Sequence, residues 1–119
     1  MAIDAAHTPW SEDDTRVLQI LASVLTSQRH EDRAVVLLEY ARDKAPENVE
    51  LKKALSGVYL LLRRHGEALT MADQVIDEMP GDAAIADLML VRSKALWGLG
   101  REPEAQAAMR DYMAIRQRP

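Results

Sequence analysis

The chain has 119 residues, enough for one domain with an ordinary core and too few for a second lobe. Its 15 Lys and Arg stand against 19 Asp and Glu, a formal charge of −4, which argues against the basic face that nucleic-acid binding requires. With no cysteine, a disulfide framework, a thiolate metal site and a thiol nucleophile are all excluded.

Leu, Ala, Met, Glu and Arg dominate, phenylalanine is absent, and only five prolines and five glycines interrupt the sequence. These are good helix formers, so an all-α fold is expected. Apolar clusters such as 58–62 fall far short of the roughly 20 residues that cross a bilayer, so membrane insertion is not expected. Residues 1–10 have neither a basic start nor a secretory apolar run and read as an N-terminal extension of a cytoplasmic protein.

Ser11 followed three residues later by Asp14 is a capping box opening a first helix over 12–27, with Val17, Leu18, Leu21, Ala22 and Leu25 as its apolar stripe. Trp10, just before the cap, staples that helix. After the polar break 27–30, a second helix over 31–44 carries Ala34, Leu37, Leu38, Ala41 and Ala45 on one face and is closed by Pro46. A third over 48–63 carries Leu51, Leu55, Val58, Tyr59 and Leu62.

The turn 63–66 leads to a fourth helix over 66–79, with Ala68, Ala72, Val75, Ile76 and Met79 on one face and Pro80 at its end. A fifth over 83–98 and a sixth over 102–117 complete the chain. Between them Gly100 suits a left-handed helix terminus and Pro103 an early helical position.

A repeat underlies these elements. Ala34 returns as Ala68 and Pro46 as Pro80, both at an offset of 34 residues, and Ala105 takes the same place in the third pair at an offset of 37. The expected organisation is a single domain over 11–119 made of helix pairs at about 15–48, 49–82 and 83–119.

Each pair places a small residue midway along its first helix, Ala22, Ser56 or Ser93, and an alanine early in its second, Ala34, Ala68 or Ala105. Large residues Leu25, Tyr59 and Leu96 stand near the end of each first helix. On these positions, over roughly residues 15–117, the sequence resembles the tetratricopeptide repeat. Lys52, Arg92 and Tyr112 depart from that motif, which favours a large apolar residue, leucine and alanine there.

The resemblance implies about three helix-turn-helix repeats stacked as a short right-handed solenoid, whose first helices line a concave, protein-binding groove. The groove positions it implies are Arg16, Gln19, Ser23, Lys53, Gly57, Leu60, Leu61, Leu90, Lys94 and Trp97, with an apolar patch around Leu60, Leu90 and Trp97. Trp97 is open between a groove anchor and packing against the last helix. The length and the closing segment 105–115 are similar to the small tetratricopeptide chaperones of type III secretion. That narrower resemblance implies a stoichiometric chaperone that sequesters a small secretion substrate or apparatus subunit; the alternative is a generic adaptor in an unrelated complex.

His30 and His65 occupy equivalent turns, but neither metal-ligand spacing nor a nucleophile accompanies them, so they read as solvated turn residues. No catalytic residue, metal or cofactor is expected. The methionines 71, 79, 89, 109 and 113 read mostly as core filler. Exposed groove leucines leave a homodimer open as one state without a client.

Overall fold

The computed structural model describes residues 9–79 and 81–118, with backbone alone at 82–84. They form six helices: α1 (Glu12–Ser27), α2 (Glu31–Lys44), α3 (Val49–Leu61), α4 (His65–Glu78), α5 (Asp82–Gly98) and α6 (Glu102–Arg116). Among the described residues there is no strand. Each helix packs against its neighbours in sequence, and α3 also touches α1 and α5. The Cα radius of gyration is 16.1 Å, above the roughly 13.5 Å expected of a compact domain this long, and the molecule measures 58 × 28 × 21 Å. It is a stack of helix pairs rather than a ball.

Pairing is set by the small residues. Ala22, Ser56 and Ser93, with Ala34, Ala68 and Ala105, are all buried, Ala22 at 2% exposure and the other five at 0%. A larger side chain at any of these contacts would push two backbones apart, at about 1–3 kcal/mol for overpacking. Two of the residues that break the motif are held by ions instead of apolar contacts. Lys52 on α3 reaches Glu78 on α4 at 2.7 Å, and Arg92 on α5 reaches Asp73 on α4 at 2.8 Å.

The three turns within pairs are built alike. Arg29, Arg63 and Gly100 adopt φ of 65°, 60° and 76°, the left-handed region that ends a helix. In each, the next residue donates its N–H to the carbonyl of Leu25, Tyr59 or Leu96, at 2.8, 2.8 and 2.9 Å. The chain thus reverses onto itself with the orphan carbonyls of α1, α3 and α5 satisfied. Only the third of these turns uses the glycine that the geometry favours.

Several expectations change. The Ser11–Asp14 capping box forms as read, and Trp10 staples α1 through a polar contact, donating its Nε1–H to Thr15 Oγ1 at 2.7 Å. α2 ends at Lys44, two residues before Pro46, and α3 begins after Asn48, whose side chain accepts from the Leu51 N–H at 3.0 Å. Pro80 lies outside the described residues. Val17 and Leu21, read as core, are about half exposed, because among the described residues no helix packs on that side of α1. Of the five methionines among the described residues only Met71 is buried; Met79, Met89 and Met109 are half-buried and Met113 is exposed. His65 is not a solvated turn residue either: it opens α4, and its half-buried ring fills the space left by the missing Cβ of Gly98.

Candidate functional site

The first helices of the three pairs, α1, α3 and α5, lie side by side and form the wall of a trough. One cavity, of about 470 Å³, opens between α1 and α3 with Leu38 of α2 at its floor. A second, of about 440 Å³, continues between α3 and α5. Gln19, Lys53, Ala54 and Gly57 line both, so the two are one continuous depression. Its walls are mostly apolar, with Ala22, Val58 and Leu61 on one side of α3 and Leu88 and Val91 on the other. Gly57 keeps it open at the centre: a Cβ there would meet nothing within 4 Å.

Polar side chains supply the smaller share of the trough's surface. Lys53 lies 4.0 Å from the Glu50 carboxylate; Gln19, Ser23, Thr26, Ser27, Ser56 and Asp87 also line the trough, the Thr26, Ser27 and Ser56 hydroxyls being turned to carbonyls of their own helices. Such a surface, apolar with a few placed polar groups, suits an extended or helical peptide better than a small charged substrate. Among the described residues no group of three or more His, Asp and Glu is placed to hold a metal ion, and no helix is long and apolar enough to cross a membrane.

Behind the trough a hydrogen-bonded cluster ties three helices together. The buried Tyr59 of α3 donates its hydroxyl to Glu39 of α2 at 2.7 Å, and Arg64 lies 4.7 Å above the Tyr59 ring while bonding Glu67 of α4 at 2.6 Å. Burial first, and then the hydrogen bond to the Glu39 carboxylate, push the Tyr59 hydroxyl up to about 12. Arg64 holds the Glu67 carboxyl below its ordinary range. These contacts tie α2, α3 and α4 to one another.

Of the ten groove positions read from the sequence, Gln19, Ser23, Lys53, Gly57 and Leu61 come together as lining. The other five do not. Arg16 is exposed and pairs with Asp13 at 3.6 Å; Lys94 and Trp97 are exposed beyond the lining; Leu90 is half-buried; Leu60 is half-buried against the main core. Ala54, Val58, Leu88 and Val91 line the trough without having been read as groove. Their signal was available: each stands three or four residues, one helical turn, from another lining residue of its own helix.

The family described as Tetratricopeptide repeat matches residues 25–91 of the chain. No curated protein matches. Two solved structures, MamA MSR-1 and MamA AMB-1, share the fold, with TM-scores of 0.78 and 0.74 at 23% and 24% identity, each covering 90% of this chain. The chain spans 61% and 58% of the length of those two proteins, about three fifths. The likeness to type III secretion chaperones gains no support from these matches.

Proposed function

The chain belongs to the tetratricopeptide repeat family, and on that footing we propose that it is a non-catalytic adaptor that holds an apolar segment of a partner protein in the trough across α1, α3 and α5. One observation carries the reading: Gln19, Lys53, Ala54 and Gly57 join two apolar cavities into a single depression long enough for a peptide. Apolar side chains of the partner would rest on Val58, Leu61 and Val91, and a carboxylate or carbonyl beside them would meet Lys53.

Sequestering a secretion substrate is a special case of the same act, favoured only by the similarity of segment 105–115 to the closing helix of those chaperones. A small secretion-apparatus subunit as the captured partner would narrow the adaptor to that role.

The test uses Gly57→Trp, which puts an indole into the trough from a position whose added Cβ meets nothing within 4 Å, and Gly66→Trp on α4, whose added Cβ also meets nothing within 4 Å but which lies outside the trough. Affinity capture from the host, read by mass spectrometry, should give a stoichiometric partner with the natural protein and with Gly66→Trp. Binding should fall about 30-fold or more with Gly57→Trp. Equal capture by all three removes the trough from the function.

A further inference from the structure

Val17, Ile20, Leu21 and Val24 form an uncovered apolar stripe along α1, each between 47% and 57% exposed. Their spacing of three, one and three residues places all four on one face of the helix. Moved by the repeat offset of 34 residues, they fall on Leu51, Ala54, Leu55 and Val58 of α3. There Leu51 and Leu55 are fully buried and Val58 nearly so, in one cluster with Leu38 and Ala41 of α2. In the next repeat, Leu88 and Val91 of α5 pack in the same way on Ala72, Val75 and Ile76 of α4. The stripe on α1 therefore has the register of a junction surface, and among the described residues no helix covers it.

The opposite end of the stack has the complementary half. Ala72, Val75 and Ile76 of α4 correspond, at the offset of 37, to Met109, Tyr112 and Met113 of α6. The α4 set is covered by α5, whereas among the described residues no helix covers the α6 set: Met109 and Tyr112 are only half-buried and Met113 is 47% exposed. Charge agrees with the match. The first turn of α1 holds Glu12, Asp13 and Asp14, whereas the last turn of α6 holds Arg116. At the internal α4–α5 junction the end of one helix leads within a few residues to the start of the next, so the same packing between copies would bring Arg116 beside that acidic turn.

We propose that the α6 face of one copy docks on the α1 stripe of a second, continuing the solenoid head to tail. The occupant is thus another copy of this chain, and the contact is heterologous, so it propagates into short stacks instead of stopping at a two-fold dimer. Gln19 and Ser23 lie outside the stripe, and Ile20 and Val24 fall at the register of the trough residues Ala54 and Val58, so the trough runs on from copy to copy with these two along it. The proposal stands whether or not the trough binds an adaptor's client.

Sedimentation velocity on the full chain and two variants tests it. Ile20→Asp charges the α1 stripe and Met113→Asp the α6 face, both at positions already half exposed, and far-UV circular dichroism reports that each remains helical. The natural protein should grow past two chains as concentration rises. Each variant alone should be monomeric, with association weakened about 30-fold or more. An equimolar mixture should form a one-to-one dimer, because each variant keeps the face the other has lost. A natural protein that remains monomeric, growth that stops at a dimer, or a mixture that stays monomeric overturns the proposal.

Discussion

Ser93 Oγ donates a hydrogen bond to the Ala105 carbonyl oxygen at 3.0 Å, and both residues are fully buried. The bond joins α5 to α6 at the point of closest approach, where a serine can both fit and find a partner. In the second pair Ser56 turns its hydroxyl instead to the Lys53 carbonyl of its own helix, at 2.7 Å. Two serines at equivalent places therefore contribute differently. Ser93→Ala should cost about 1 kcal/mol, the net value of one hydrogen bond. Ser93→Leu should cost more, about 1–3 kcal/mol of overpacking in addition to the lost bond. Urea midpoints read both, and a Leu variant as stable as the Ala variant would mean that α5 and α6 do not need their close approach.

The three equivalent turns give a paired prediction of opposite sign. Arg63 holds φ at 60° with a side chain that the left-handed region penalises, while Gly100 holds 76° without that cost. Arg63→Gly should stabilise the protein by about 0.5–1 kcal/mol, and Gly100→Ala should destabilise it by about 1 kcal/mol. Thermal midpoints of the two variants should move to opposite sides of the parent. Movement in the same direction would show that the turns are not governed by backbone conformation.

Alkaline pH should act through Tyr59. Its folded-state value of about 12 lies above the ordinary 10.0, so the neutral hydroxyl is favoured by folding. The stability this supplies is fully present below pH 10 and is lost as pH rises through about 12. Tyr59→Phe removes both the bond to Glu39 and the titration. It should therefore be less stable than the parent at pH 7, by about 1 kcal/mol, with the gap closing between pH 10 and 12. A gap that stays constant across that range would detach the alkaline loss from Tyr59.

Much of the fold was legible because close helix packing leaves few choices. Ala22, Ser56 and Ser93 had to be small, and their spacing located all three pairs before any contact was known. The ends of the stack were not legible in the same way. Val17 and Leu21 show the periodicity of a core face, and periodicity reports that a face is apolar without reporting what lies opposite it. The trough was half legible for a related reason. Leu60 and Leu61 are adjacent in sequence but point about 100° apart on a helix, so one packs into the core and the other lines the cavity. Trp97 stayed outside the lining even though it stands on a groove helix, because it lies in the last turn of α5, past the end of the two cavities.

The contact between Gly98 and His65 reverses an expectation from helix propensity. Gly98 is the last residue of α5 and is exposed, so Gly98→Ala would ordinarily stabilise the helix by up to about 1 kcal/mol. The added methyl would instead overlap Cδ2 and Nε2 of the His65 ring at the start of α4. The ring is half-buried, and its Nδ1 is buried without a hydrogen-bond partner among the described residues, so moving it has to displace packed neighbours. Gly98→Ala should therefore destabilise the protein, by about 1–3 kcal/mol as an overpacking substitution. In a His65→Ala background the clash is gone, and the same change should become neutral or stabilising. A double-mutant cycle of urea midpoints reads the coupling directly: a Gly98→Ala effect of the same sign and size in both backgrounds would mean that the two residues do not share this space.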